Sequence, residues 1–411
     1  MTLVPIGLLL LGVPIFAILV VTSAIVLAFF VDVPATVVHQ TMFGSVDKFP
    51  LMAVPFFIFA GELMGRGGMS ERLVAWALSI LGPIRGSLPL TTVGTATIFG
   101  AISGSSPATV AGVGRLLYPS LREKGYNEKF STGVITSSGA IAIVIPPSIA
   151  MILYGASAEQ SIALLFIAGI VPGLLMAVMM GAYIYAYARV KGIRETAGFR
   201  WSAFARATRD GVWALGSPGI ILGGIYAGIF SPTEAAGIAC VYAIVVTRFI
   251  YRDMSWRGLW EVTTDSVYLT AQVLIIVAGA GVFSWILTVS GIPQAAVAAI
   301  KAMNVSPWVI LLVINIFLLI VGCLMDIFSA IIVVVPIIVP IALKFGVDPV
   351  HLGIIFLTNL EIGYMTPPVG LNLFISSYRF NKSIVEIYKV AIPFLIILLI
   401  GLLFPKLAIS Q

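Results

Sequence analysis

The sequence predicts an all-α polytopic membrane protein made of two inverted repeats, each with a re-entrant hairpin and a proline-broken helix. Three observations predict it: the composition, the length of the apolar runs and an internal repeat. Of 411 residues 60% are hydrophobic and only 10% charged, with a mean hydropathy of +1.11, whereas soluble domains are about a quarter charged. The runs Leu8 to Val31, Ile162 to Tyr187 and Val267 to Ile292 are each long enough for a helix to cross a hydrocarbon core of ~30 Å. A membrane β-barrel would instead show stretches of ~10 residues with alternating polarity, a pattern absent from this sequence.

The repeat is read from prolines. Ile145-Pro146-Pro147-Ser148 recurs as Thr366-Pro367-Pro368-Val369, an offset of 221 that also pairs Pro119 with Pro340, Gly125 with Gly346, Asn127 with Asp348 and Pro172 with Pro393. After a shift of three residues, Phe59 and Gly67 pair with Phe283 and Gly291. The expected organisation is a first transmembrane helix and outer loop over 1–48, repeat 1 over 49–188, basic inner loops with a connecting helix pair over 189–270, and repeat 2 over 271–411. The net charge of +6 does not point to nucleic acid, because Lys and Arg sit in short breaks between apolar runs and so set topology. With the loop 189–209 inside, only Lys48, Lys301, Lys344 and Lys406 of 23 basic residues fall outside. The same tracing makes 130–155 run outward and its counterpart 350–378 inward, so the repeats are antiparallel. Carriers with that layout bind cargo where the repeats meet near the bilayer midplane.

Two stretches are too interrupted for ordinary spans. Residues 88–118 are broken by Gly100, Gly104 and Pro107 into halves of about 14 residues, roughly 20 Å of helix. They form an inner hairpin, and 309–345 its outer counterpart. The tips are Ser103-Gly104-Ser105-Ser106-Pro107 and Gly322-Cys323-Leu324-Met325-Asp326. Ser105 and Asp326 match in register and are good N-caps, so each returning half-helix starts near the midplane with its positive dipole end inward. Pro146 and Pro147 deprive the carbonyls of Ala142 and Ile143 of helical donors, and Pro367 and Pro368 do the same to Gly363 and Tyr364. These oxygens, with Ser137, Ser138 and Gly139 in one copy and Thr358, Asn359 and Thr366 in the other, suit a small hard cation. Two sodium sites are therefore expected, one per repeat, between each hairpin tip and its broken helix. Asp326 is expected to act in the second, since a mid-membrane carboxylate costs about 2.5–3.5 kcal/mol to insert. Glu361 either lines the cavity or bonds a scaffold helix. Glu234, after Ser231-Pro232-Thr233, reads as a first-turn acid at a helix start, and Glu62 as the i,i+4 partner of Arg66. Trp201, Trp213, Trp256 and Trp260 border basic loops as interface anchors. Cys240 and Cys323 lie in apolar segments and imply no disulfide framework.

On these motifs the chain resembles the large membrane subunit of tripartite ATP-independent periplasmic (TRAP) transporters, nearly end to end. The resemblance rests on VPFFIFAGELM from Val54, GAISGSSPATVAGVG from Gly100, IPPSIAMILYG from Ile145, GIVPGLLMA from Gly169, GIFSPTEAAG from Gly228 and NLEIGYMTPPVGLNLF from Asn359. It implies an elevator-type transporter in the bacterial inner membrane, N-terminus cytoplasmic and C-terminus periplasmic, that takes up a small organic anion (a carboxylate or sugar acid) with sodium. It also implies two protein partners, a small four-helix membrane subunit and a periplasmic substrate-binding protein. The small subunit is expected as a separate chain, because no four-helix stretch precedes residue 1. Sodium is the coupling ion, and no cofactor is expected. The alternative is a self-sufficient sodium/dicarboxylate carrier of similar fold.

Enzyme readings fail on residue supply. An intramembrane serine protease needs a base near Ser103, yet the two histidines, His39 and His351, fall near outer-face ends. An aspartyl protease needs two facing membrane aspartates, and Asp326 is alone. Two histidines and two distant cysteines make no transition-metal cluster, and no phosphate-binding Gly-rich loop ends in Lys-Ser or Lys-Thr. The expected moving block is 88–155 with 309–378, against a frame of 1–65, 161–188, 212–289 and 385–407. The amphipathic stretches 70–85 and 292–304 join them.

Overall fold

Glycine and proline decide where this chain stops being helical, and between those stops nearly everything is helix. The computed structural model describes residues 7–8, 11–29, 34, 36–193, 198–302 and 306–403. Among them there is no strand. Six helices are long and apolar enough to cross a membrane, among them Ile162–Val190 and Trp256–Val289, and a seventh span is made by the pair Glu128–Val144 and Ile149–Ala158, bent by 41°. Both chain ends, 1–6 and 404–411, lie outside the described residues, and with them the expected cytoplasmic and periplasmic termini and Lys406.

The first apolar run contains helix Ile15–Phe29; the flanking stretches 9–10 and 30–33 lie outside the described residues. The segment expected as an outer loop instead carries helix Thr36–Val46, too polar to announce itself by hydropathy. The connecting pair is Trp201–Tyr226 and Pro232–Ile244, the second continuing through a π turn over Val245–Ile250. Arg206 and Arg209 thus lie on a helix, not in the basic loop. Helix Pro232–Ile244 begins on a capping box, in which Ser231 Oγ accepts from Glu234 N and the Glu234 carboxylate accepts from Ser231 N. That agrees with the structural role read for Glu234.

The first hairpin is Ser87–Ser103 and Ser106–Glu123, the second Pro307–Leu324 and Ile327–Lys344. Their halves have 17 or 18 residues, longer than the expected 14. At 1.5 Å per residue they reach roughly 25–27 Å, close to a ~30 Å core, and Ile327–Lys344 is one of the six helices long and apolar enough to cross. In the returning halves Pro119, Pro336 and Pro340 stay inside their helices and do not end them. The broken helices are Glu128–Ser138, Ile141–Val144 and Ile149–Ala158 in the first half, and Pro349–Gly363 and Leu371–Phe380 in the second.

Several positions 221 residues apart have like backbone geometry. Asn127 and Asp348 each cap the helix that follows. Gly125 and Gly346 before them both take φ near +80°, at 80° and 75°, a left-handed turn that glycine adopts without a Cβ penalty. Each proline pair carries a cis peptide bond, at Pro146-Pro147 and Pro367-Pro368. The amphipathic stretches form helices Met69–Leu81 and Ile292–Ala302, with 303–305 outside the described residues.

Candidate functional site

At the first tip the helix ends on Gly104, whose φ of +58° turns the chain, and restarts on Ser105. Ser105 Oγ accepts weakly from Ala108 N at 3.4 Å, while Ser103 Oγ and Thr109 Oγ1 share a hydrogen bond of 3.1 Å. At the second tip Asp326 caps more strongly. Its Oδ1 accepts from Phe328 N and Ser329 N at 3.0 Å each, and its Oδ2 accepts from the Ser329 hydroxyl. The two expected caps are present, but only one is charged.

Each tip is pressed backbone to backbone on its own broken helix. A Cβ on Gly100 would stand 2.5 Å from Ala142 Cα, and one on Gly104 3.1 Å from Pro147 O. In the second half a Cβ on Gly322 would stand 2.9 Å from Leu360 Cα, and one on Gly363 would overlap the Gly322 backbone. Val369 N donates to Cys323 O at 3.1 Å, and the buried Ile327 N donates to Tyr364 Oη at 2.6 Å. Met325, extended between the halves of the second hairpin, completes that tip. Of the residues expected around the tips, these contacts bring Gly104 beside Pro147 in the first half and Gly322 beside Gly363 in the second.

The freed carbonyls divide. Four residues beyond Ala142 and Ile143 stand prolines, which carry no N–H. Gly363 O, by contrast, accepts from Thr366 N at 2.9 Å, and Tyr364 O accepts from Asn372 N at 3.2 Å. Those two are not orphaned, because the chain after residue 363 turns tightly enough to bring later N–H groups back. Three hydroxyls expected at the sites donate to the carbonyl four residues earlier: Ser138 to Val134, Thr358 to Ile354 and Thr366 to Ile362, at 2.6, 2.7 and 2.9 Å. With the proton so directed, the oxygen lone pairs are what each hydroxyl presents to other partners. Asn359 Nδ2 is used by Asn315 Oδ1 at 2.9 Å and Ile355 O at 2.8 Å, leaving its buried Oδ1 without a donor.

The halves also bond to each other. Ser106 is fully buried; its hydroxyl accepts from Asn372 Nδ2 at 2.7 Å, and a Cβ on Gly139 would meet its O and Oγ at 3.1 Å. Glu361, fully buried, lies beside the same hydroxyl. It sits inside the block of broken helices and does not line the cavity between the tips. Thr136 donates to Ser376 Oγ at 2.7 Å. Asn315, Asn372 and the Tyr364 hydroxyl were absent from the expected site, which included only the Tyr364 carbonyl. The one signal in the sequence for the two asparagines is a polar group inside an apolar helix.

Between the tips and the long helices lies a cavity of about 250 Å³. Ser103 and Ser105 face it from the first hairpin, Asp326 and Phe328 from the second, Glu62 from helix Ala53–Arg66 and Gln272 from helix Trp256–Val289. Glu62 does pair with Arg66, at 3.3 Å, and Arg66 also reaches Asp265 at 2.7 Å. Among the described residues no cluster of three or more His, Cys, Asp or Glu is placed to hold a metal. A cation here would therefore rest mainly on hydroxyl, amide and carbonyl oxygens, with Asp326 or Glu62 as the carboxylates within the same lining.

Residues 2–408 match the family described as tripartite ATP-independent periplasmic transporter, DctM component. The isethionate TRAP transporter permease protein DctMQ of Oleidesulfovibrio alaskensis is 41% identical over 373 residues, which cover 90% of this chain and 59% of that protein. The C4-dicarboxylate TRAP transporter large permease protein DctM of Pseudomonas aeruginosa is 40% identical over 362 residues, covering 88% and 85%. Among solved structures the Alcanivorax borkumensis YdaH transporter superposes with a TM-score of 0.68 over 99% of this chain and 98% of that one, at 13% identity. That likeness concerns the fold alone.

Proposed function

The chain belongs to the tripartite ATP-independent periplasmic transporter family as a DctM component, a multi-pass membrane permease and not an enzyme, and on that premise we propose that it carries a small organic anion inward together with sodium. It does so from a site between its two hairpin tips, beside a small four-helix membrane subunit, with substrate handed over by a periplasmic binding protein. The observation that carries the reading is the cavity itself. Both returning half-helices begin at its wall, at Ser105 and Asp326, so their positive ends favour an anion there. Yet Asp326 and Glu62 place two carboxylates on the same wall, and an anion beside them is repelled unless a cation comes with it. In this reading the cation is held one layer behind the tips, by oxygens such as those of Ala142, Ile143 and Ser138 in one half and Thr358 and Thr366 in the other. This is a physical reason for coupling. The two halves are inverted copies in this reading, and the block of hairpins and broken helices moves as one body across the membrane.

At about 250 Å³ the cavity is below the ~300–1,000 Å³ of pockets for drug-sized ligands, which suits a small carboxylate, sulfonate or sugar acid. Isethionate and C4-dicarboxylates, named for the two relatives, are the first substrates to try. In proteoliposomes holding the chain and its small subunit, labelled substrate should accumulate only with an inward sodium gradient and the loaded binding protein. Equal accumulation by the chain alone would make it a self-sufficient carrier; accumulation independent of sodium would end the coupling.

A further inference from the structure

A second cavity, of about 230 Å³, lies beyond the first along the same two helices. The inner cavity touches helix Trp256–Val289 at Gln272 and helix Ile327–Lys344 at Phe328, and the second touches them at Ser284 and Pro336. At 1.5 Å per residue these are displacements of roughly 12–18 Å in one direction, so the two cavities stand in series on a common wall. The side chain that marks the second is Lys48, whose Nζ donates to Ala156 O at 3.0 Å, near the C-terminal end of helix Ile149–Ala158. An ammonium has three donors. Among the described residues Lys48 has no carboxylate within ion-pair distance. Around it Ser157 and Ser284 bring hydroxyls and Trp285 an indole N–H. Ser45 turns its own hydroxyl to Thr41 O, at 2.7 Å.

We propose that this pocket is a binding site for a small carboxylate or sulfonate anion, a way station between the outer face and the cavity at the tips. The unpaired ammonium supplies the charge and the hydroxyls and indole the orientation. An anion held there also competes with Ala156 O for the ammonium. It thereby loosens a bond between Lys48, on the side of the long helices, and the end of the broken helix. The direction of traffic rests on the transport reading above; the existence of the anion site does not.

The test is reactivity and not uptake. In the full complex in oriented membrane vesicles, with Cys240 and Cys323 replaced, a cysteine is introduced by Ser284→Cys or Ser157→Cys. Each is reacted with two impermeant thiol reagents of similar size, sulfonatoethyl methanethiosulfonate (anionic) and trimethylammonioethyl methanethiosulfonate (cationic). The anionic reagent is expected to react faster, from the outer face only. Lys48→Gln should lower the anionic-to-cationic rate ratio by about tenfold, and Lys48→Arg should preserve it. An unchanged ratio in Lys48→Gln, or no reaction at either cysteine from either face, overturns the site. A ratio that depends on Lys48 in a complex showing no sodium-driven uptake keeps the site and rejects the transport reading.

Discussion

Asp326 does two jobs that single substitutions can separate. Asparagine keeps Oδ1 for the N–H groups of Phe328 and Ser329 and removes the charge and the partner of the Ser329 hydroxyl. Asp326→Asn should therefore leave the fold intact and raise the sodium concentration for half-maximal uptake by about tenfold, the scale of one lost charge-assisted hydrogen bond. Ser105→Ala, which loses a neutral cap of 3.4 Å, should move it far less; equal half-saturation in wild type and Asp326→Asn would take Asp326 out of the ion path. A purely structural counterpart is Tyr364. Its hydroxyl is the acceptor for Ile327 N, at a residue 1% exposed, so Tyr364→Phe leaves a buried donor unmet. Thermal melting of the purified complex should show a loss of about 1–3 kcal/mol, and an unshifted transition would mean that another acceptor takes over. Asp326 was legible in the sequence because a carboxylate amid apolar residues has few reasons to be there. Tyr364 was not, because nothing in the sequence tells that a tyrosine one residue past a helix end meets a backbone N–H 37 positions earlier.

Hairpins and broken helices were legible because glycine and proline act locally. A proline pair interrupts a helix wherever it falls, and Ser105 and Asp326 restart one. Two things escaped: helix Thr36–Val46, whose composition resembles a loop, and the pairing of elements, which depends on surfaces far apart in the chain. That pairing is made by bare backbone. The Gly100 Cα faces Ala142, and Gly363 faces Gly322, with no room for a methyl group. Gly100→Ala and Gly363→Ala should each cost about 1–3 kcal/mol by overpacking and abolish uptake, since the tip can no longer seat. Gly346, with φ +75° but open space around its Cβ position, is the control: Gly346→Ala should cost about 1–2 kcal/mol in strain alone and retain uptake. Melting and uptake measured on the same preparations decide this. If Gly346→Ala and Gly363→Ala behave alike, the close approach of the tip has no special role.

The contacts across the whole molecule are of two strengths. Within the block of hairpins and broken helices they are buried and mutual, as at Ser106 with Asn372 and Thr136 with Ser376. Between block and frame the apolar packing is close, since a Cβ on Gly133 would stand 2.5 Å from Val390 O and one on Gly169 2.6 Å from Val144 O, whereas the ion pairs of the connecting helix are partly exposed. Helix Met69–Leu81 is held to the returning half of the first hairpin by Glu71 with Arg115 at 3.1 Å, and to the loop before helix Trp256–Val289 by Arg72 with Asp253 at 2.6 Å. Exposed pairs of this kind contribute about 0–1 kcal/mol each, so they can be broken and remade in every cycle. Exposed links of this kind suit the rigid-body motion proposed for the block, a mechanism that carriers built of inverted repeats use. Burial also decides where to look. Ser106 and Ala330 are fully buried and would report nothing, whereas Ser105 and Phe328 are half-exposed and line one cavity. Because both tips share that cavity, they should turn to the same side together. A cysteine from Ser105→Cys or Phe328→Cys, without Cys240 and Cys323, should react with an impermeant reagent from one membrane face at a time. Sodium and substrate should shift both positions in the same direction. If either cysteine reacts equally from both faces under every condition, the cavity is an open pore and the moving block is rejected.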